Sequence, residues 1–335
     1  MDKILVVGGG SWGTAFANYL TLKNQTIKIW IREESVIQSI KLKRENSIFL
    51  PGISLSKYLI PVSDLESEVR EAKIIIFAVP SKFIRQTFYR LKNILHKKIL
   101  VNLSKGFESA SLKTISELAT DIIGPDTINQ WVTLSGPSFA KELAQNFPTA
   151  VVAGSKNETI LKQIQQRFSS NILRIYRSGD LTGIEVAGSL KNIMAIASGI
   201  ANGCGYGYNT TTALITRANM EISRFGIHMG AKKETFWGLA GIGDLILTCF
   251  GSLSRNFQLG VRVAKGESLE EIEKTNVMIA EGVETTKAIK SLSDQLNMEM
   301  PISSEVYQIL FNKKKPEKAI KELMKRSLKP EWNLS

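Results

Sequence analysis

ILVVGGGSWGTAFA (residues 4–17) decides the fold. Four apolar residues without alternation predict a strand buried on both faces, and the residues after the glycines predict a helix. Between the two stands Gly8-x-Gly10-x-x-Gly13. Alone, a glycine-rich turn is a weak sign, because any tight turn favours glycine. Set between a strand and a helix at the head of a strand–helix–strand unit, it points to dinucleotide binding. Gly8 permits the turn, Gly10 lets backbone approach a pyrophosphate, and Gly13 allows close helix packing. N–H groups near Ser11 and Trp12 then face the phosphates at the helix N-terminus. Trp12 reads equally well as a packing residue.

The ribose-recognition position follows about 20 residues later, at the end of the second strand. There the chain reads WIREE (30–34), with Arg32 where an NAD-selective fold usually has Asp. A cation there suits a 2′-phosphate, Glu33 beside it pulls the other way, and a solvent-facing arginine at a strand end is the plain alternative. The expected cofactor is NADP or NAD.

Further along, short β-branched runs alternate with helical patterns. Residues 3–7, 26–31, 73–79, 98–103, 131–135, 149–154 and 173–177 predict strands; 11–23, 80–93, 111–122 and 157–168 predict helices. This alternation specifies an α/β, Rossmann-like, doubly wound and mostly parallel sheet. Past residue 180 the strand patterns stop. TTALITRANMEISRFG (211–226) has helical spacing and ends at a candidate C-capping Gly226. Ser268 and Glu271 form a capping box, and 281–296 reads as helix. The expected division is a dinucleotide-binding domain, 1–180, and an all-α substrate domain, 181–335.

At 335 residues the chain exceeds the usual size of a single core. Its 43% hydrophobic and 22% charged residues are those of an ordinary globular protein. The longest uncharged stretch is interrupted by Gly, Asn, Ser and Thr, which argues against a membrane span. The N-terminal apolar run is too short for a signal peptide. Cys204 and Cys249 are too few for a disulfide framework or a cysteine-based zinc site. A cytoplasmic location is expected. The net charge of +12 raises the possibility of nucleic-acid binding, but from Asn312 onward eight Lys/Arg face three Glu. NKKKPEKAIKELMKR (312–326) fits an amphipathic helix with a solvated basic face, and no nucleic-acid motif accompanies it.

VAGSLKNIMAIASGI (186–200) poses a chemical question. Lys191 is the only charged residue between Glu185 and Arg217. On a helix its neighbours three and four residues away are Ala187, Gly188, Met194 and Ala195, none able to pair with an ammonium. Burial lowers a lysine's pKa towards working pH. A nicotinamide enzyme reducing a carbonyl needs a proton donor. His96 precedes a strand and His228 follows a helix end; Tyr19 and Lys23 lie in the first helix, too early for a dehydrogenase dyad. Lys191 remains, with snorkelling to the surface as its structural alternative. The glycines at 199, 203, 205 and 207 read as a flexible turn after the helix.

Other segments carry anion and carbonyl chemistry. NLSKGF (102–107) places Lys105 beyond a strand's C-terminal end, where doubly wound folds bind ligands. In SGPSFA (135–140) Pro137 is placed to start a helix with free N–H groups. GIGDLILTC (241–249) offers Asp244 as partner for a buried ammonium. In GSLSRNFQLG (251–260) Ser254 is an N-cap followed by Arg255 and Asn256, a phosphate cradle.

GGGSWGTA, FLPG, AVPS, SKG, LSGPSFA, EVAGSLKN, GLAGIGDLILTC, SRN and EGV occur in this order over roughly residues 1–300. Together they resemble the bacterial type of NAD(P)-dependent glycerol-3-phosphate dehydrogenase. The resemblance implies a cytosolic, usually dimeric oxidoreductase that interconverts dihydroxyacetone phosphate and sn-glycerol 3-phosphate for phospholipid synthesis. It implies Lys191 as proton donor and acceptor, followed by Asn192, with Lys105 and Asp244 beside it. Lys105, Gly136, Ser138, Asp244, Ser254, Arg255 and Asn256 match substrate contacts. Ser11, Trp12, Arg32, Lys105, Ala140, Arg255, Ile279 and Glu281 match cofactor positions. Before LPG the family often has a basic residue and Tyr, whereas this chain has Ile48 and Phe49. A β-hydroxyacid-type dehydrogenase shares the Lys-Asn pair but needs a carboxylate site, and a non-catalytic dinucleotide sensor would not need Lys105, Lys191 and Asp244 together.

Overall fold

The computed structural model describes residues 2–23, 25–275, 280–328 and 330–331. Among these, eight strands form one sheet: β1 (Ile4–Val7), β2 (Ile27–Trp30), β3 (Leu59–Val62), β4 (Ile74–Phe77), β5 (Ile99–Asn102), β6 (Trp131–Ser135), β7 (Thr149–Gly154) and β8 (Leu173–Ser178). Their order is β3-β2-β1-β4-β5-β6-β7-β8, parallel throughout except between β6 and β7. Apolar runs predict seven of these strands and miss β3. Its LIPV sequence contains Pro61, which cannot donate to a ladder. At the sheet edge, paired only with β2, a proline is tolerated.

The unalternating runs bury both faces. From β4, Ile74 and Ile76 pack with Phe16, Ile37 and Leu161; Ile75 and Phe77 pack with Leu65, Ile84 and Phe88. Helices Ser11–Leu20, Glu34–Lys43 and Glu158–Phe168 thus cover one face, and Leu65–Glu71, Ser81–Leu91 and Ile115–Ile123 the other. Strand order reverses between β1 and β4, where doubly wound sheets open a ligand crevice. The glycine-rich turn leaves β1 at that point. Gly8 has φ +121°, and a Cβ there would lie 2.4 Å from the Ala78 carbonyl oxygen; one on Gly13 would lie 2.1 Å from that of Gly8. Side chains at either position would force the turn away from β4.

Beyond Ser178 the described residues are helical. Asp180 caps the Leu181–Gly203 helix, accepting from Gly183 N at 3.0 Å, and also accepts from Lys232 N and the Thr235 hydroxyl. At 23 residues, with an 18-residue window of mean hydropathy 1.2, this helix is long and apolar enough to cross a membrane. It is instead the buried axis of the helical part, packed against Tyr208–His228, Asp244–Phe250, Arg255–Ala264, Glu281–Gln295 and Pro301–Asn312.

Two glycine expectations need correction. Gly199 and Gly203 do not belong to a flexible turn; they lie inside the long helix, where they admit the Arg255–Ala264 helix at backbone contact. A Cβ on Gly199 would lie 2.0 Å from the Phe257 oxygen, and one on Gly260 2.2 Å from the Ile196 oxygen. Gly226 does not end its helix, which continues to His228; its missing side chain makes room for the Phe236 ring. Helix propensity favours Ala over Gly by about 1 kcal/mol, so Gly260→Ala isolates the clash. A net loss of roughly 1–2 kcal/mol is expected, because overpacking costs about 1–3 kcal/mol or more. The urea midpoint reads it; an unchanged or raised midpoint would mean that the helix pair has slack.

Candidate active site

Lys191, 7% exposed, finds its partners on another helix. Its Nζ donates to Asp244 Oδ1 at 2.6 Å and to Thr248 Oγ1 at 2.7 Å. Asp244 and Thr248 are one turn apart on the Asp244–Phe250 helix, so both face the lysine. The Thr248 hydroxyl donates to the Asp244 carbonyl oxygen at 2.6 Å, which leaves its own oxygen free to accept from the ammonium. The other carboxylate oxygen, Asp244 Oδ2, accepts from Lys105 Nζ at 2.5 Å. Lys105 arrives from the loop after β5. One carboxylate, 1% exposed, therefore joins a lysine from the sheet to a lysine from the helical part.

The charges respond accordingly. Burial lowers the Lys191 pKa to about 8, with Asp244 opposing the shift and Lys105 adding to it. Burial also works against the Asp244 carboxylate, but Lys105 and Lys191 prevail and hold it below the usual range. Burial pushes the neighbouring Cys249 thiol up to about 12, which keeps it protonated.

Asn192 continues the cluster. Its Oδ1 accepts from Asn256 Nδ2 at 3.0 Å, and Asn256 Oδ1 accepts from Gly282 N at 2.9 Å. The Asn192 amide nitrogen, itself buried, has no hydrogen-bond partner among the described residues, which leaves a donor for a ligand. Ser254 caps the Arg255–Ala264 helix as its sequence predicts, accepting from Phe257 N at 3.3 Å. Arg255, exposed, opens that helix and interacts electrostatically with Glu281, whose pKa burial raises against the pull of Arg255, Lys105 and Lys191. Ile279 lies outside the described residues.

At the crevice end, a Cβ on Gly10 would meet nothing within 4 Å, so this backbone stays approachable. Ser11 Oγ donates to the Phe49 carbonyl at 2.5 Å. Asn46 clamps the same turn, its Nδ2 donating to Gly9 O and Thr14 Oγ1, both at 2.8 Å, and its Oδ1 accepting from Phe49 N. Phe49 thus meets the start of the helix after the turn through its backbone carbonyl. Trp12 packs partly buried on the sheet core, 6.0 Å from the Phe16 ring, in keeping with a packing role. Ala140 opens a short helix against Ser11–Leu20. Arg32 is exposed, forks onto Glu33 at 2.7 and 3.0 Å, and lies 5.2 Å over the Phe83 ring. Gly136 turns the chain after β6 at φ +145°, and Ser138 Oγ donates to its carbonyl at 2.8 Å. Pro137 does not begin the following helix, which starts at Ala140 after an extended Phe139. Tyr19 is occupied elsewhere, donating to the Phe168 carbonyl at 2.5 Å.

The fold brings together Lys105, Lys191 and Asp244, and Asn192 with Asn256. Ser11 and Trp12 follow the glycine-rich turn, Arg32 stands two residues beyond Trp30, whose carbonyl accepts from Gly8 N, and Ala140 opens a helix packed on Ser11–Leu20. Sequence reasoning misses Thr248 and Asn46. Thr248 was legible as the residue four after Asp244, whereas Asn46 carries no local signal.

Two families of known proteins match the chain. Residues 3–161 match the family of the NAD-dependent glycerol-3-phosphate dehydrogenase N-terminus, and residues 180–321 that of its C-terminus. The glycerol-3-phosphate dehydrogenase [NAD(P)+] of Citrifermentans bemidjiense is 42% identical over 331 residues, 98% of this chain and 99% of that protein. That of Carboxydothermus hydrogenoformans is 43% identical over 332 residues, 99% and 98% of the two chains. The crystal structure of glycerol-3-phosphate dehydrogenase from Coxiella burnetii superposes with a TM-score of 0.92 at 33% identity, covering 97% of this chain and 99% of that one. The chain belongs to the NAD-dependent glycerol-3-phosphate dehydrogenase family.

Proposed function

We propose that this chain interconverts dihydroxyacetone phosphate and sn-glycerol 3-phosphate with NAD(P)H, supplying glycerol 3-phosphate for phospholipid synthesis. The observation that carries this reading is the buried Lys191 ammonium, held by Asp244 and Thr248 and joined through Asp244 to Lys105 beyond β5. We assign residues 1–180 to dinucleotide binding and 181–335 to substrate binding and catalysis. A cytoplasmic homodimer is the assembly that the family resemblance supports.

The open backbone at Gly10, the N–H groups of Ser11 and Trp12, and Arg32 fit a dinucleotide. Bound there, it supplies or accepts the hydride. Lys191 donates a hydrogen bond to the ketone oxygen and delivers its proton as the alkoxide forms, ending as a neutral amine. In the reverse direction the amine takes the hydroxyl proton. Asp244 orients the lysine, and Lys105 adds positive charge near the developing oxyanion. Arg255, the N–H groups behind Ser254, Asn256 and the free Asn192 amide donate to the substrate phosphate; Gly136 and Ser138 flank the substrate. Ala140 and Glu281 complete the cofactor side, and the family resemblance adds Ile279 to the same role.

With Lys191 titrating near pH 8, the two directions have opposite pH dependence. Ketone reduction needs the ammonium, so kcat/KM is level below about 8 and falls above it; alcohol oxidation needs the amine and rises up to about 8. Lys191→Met removes the dependence together with roughly 10²–10⁴-fold of turnover, while fluorescence titration shows NAD(P)H bound within a few-fold of the parent. Parent-like turnover in folded Lys191→Met refutes the assignment.

Arg255→Ala weakens dihydroxyacetone phosphate far more than dihydroxyacetone, by about 10–150-fold in kcat/KM, the worth of a hydrogen bond to a charged group. Equal losses on both ketones would move Arg255 to the cofactor.

Arg32 gives NADPH at least parity with NADH, through charge-assisted contact with the 2′-phosphate once it leaves Glu33. Arg32→Asp reverses the order by exchanging a cation for an acceptor of ribose hydroxyls. If the NADPH/NADH ratio of kcat/KM in parent and variant agrees within about twofold, well below the worth of one charged hydrogen bond, Arg32 is not the selector.

A further inference from the structure

Glu185 is a buried acid that the chemistry above does not use. It is 6% exposed, and its carboxylate accepts from uncharged donors on two elements. Oε2 accepts from Ser116 N at 3.2 Å and Ser116 Oγ at 2.6 Å; Oε1 accepts from Thr133 Oγ1 at 2.7 Å and Trp131 Nε1 at 3.3 Å. Trp131 Nε1 also donates to Thr133 Oγ1 at 3.0 Å, which commits the threonine proton to Glu185. Ser116 is the second residue of the Ile115–Ile123 helix, so the carboxylate sits at that helix's positive end. Burial raises the Glu185 pKa, and the hydrogen bonds from Ser116 and Thr133 oppose the rise.

The same stretch of helix reaches Lys105. Ser189 Oγ donates to the Glu185 carbonyl at 2.6 Å and accepts from Gly106 N at 2.9 Å, next to Lys105. Lys191 stands six positions after Glu185, about 9 Å along the axis. The helix is therefore tied to β6, to the Ile115–Ile123 helix and to the β5 loop within two turns of its lysine.

We propose that Glu185 is a positioning residue for the reaction: its carboxylate fixes the rotation of the Leu181–Gly203 helix against the sheet, so that Lys191 and Lys105 close on Asp244 in the geometry that proton transfer needs. This rests on the dehydrogenase reading above. A plain packing role would be served equally by an apolar side chain; four donors converging on one carboxylate instead specify a single rotation.

Glu185→Gln puts an N–H₂ group against donors while keeping size and shape. The expected result is a kcat for dihydroxyacetone phosphate reduction lower by on the order of 10–100-fold, the cost of displacing a catalytic group by about 1 Å. The NADH dissociation constant, from fluorescence without substrate, stays within about threefold, less than one lost hydrogen bond. The lysine limb of the pH profile moves, because Lys191 changes its distance to the groups that face it: Asp244, Lys105, Cys249 and Glu281. Thr133→Val removes one donor and gives a smaller loss of the same kind, and it decides the matter if Glu185→Gln does not fold. Parent-like kcat and pH profile in the folded variant overturn the proposal, as does a loss confined to cofactor affinity and Tm. Inactive parent enzyme would count against the dehydrogenase reading; active parent with parent-like variants counts against Glu185 alone.

Discussion

One carboxylate shared by two ammonium groups holds the site together. Moving any of these ions out of water costs several kcal/mol. At an effective dielectric constant of 20, opposite charges about 3 Å apart recover about 5 kcal/mol per contact. Asp244 makes two such contacts and each lysine one, so the carboxylate is the best stabilised member. It stays ionised, while Lys191, the more buried of the two lysines, keeps a proton that it can release. Two cations and one anion leave a net positive charge, which suits the phosphorylated ketone and developing alkoxide proposed for this site.

The triad also explains the architecture around it. Lys105 belongs to the sheet, and Lys191 and Asp244 to two different helices, so the geometry exists only when sheet, long helix and Asp244–Phe250 pack in one way. Backbone contact at Gly199 and Gly260 brings Asn256 to Asn192, and Asp180 ties the start of the long helix to residues 232 and 235. These are short-range, directional contacts, and each removes a freedom that apolar packing leaves open.

How much was legible in the sequence follows from which forces are local. Buried parallel strands show as unalternating apolar runs, and the glycine-rich turn shows as spacing; both were readable. β3 was hidden because edge pairing tolerates a proline that argues against a strand. Lys191 was legible because its helical neighbours cannot satisfy it, and Asp244 because it stands between glycines and an apolar run. The pairing of Asp244 with Lys105 spans 139 positions and has no local signature. The clamp of Asn46 on the turn and the four donors on Glu185 also join residues far apart in the chain. Gly199 and Gly226 misled for a related reason: a glycine that admits a neighbouring helix or ring looks, in sequence, like one that ends a helix.

The overall charge has a different meaning from the charge of the site. In the basic C-terminal stretch, Lys314 is paired with Glu305 and Glu322, and Arg326 with Glu299. The lysines of the Pro316–Met324 helix, Lys318 and Lys321, face solvent. At physiological ionic strength exposed charges are screened beyond about 8 Å, whereas buried ones are screened much less. The lysines of the tail therefore add solubility and a diffuse field, while Lys105 and Lys191, largely buried beside Asp244, carry charges that salt screens far less. For the reaction proposed above, it is this small buried positive excess, rather than the overall charge, that would favour an anionic substrate.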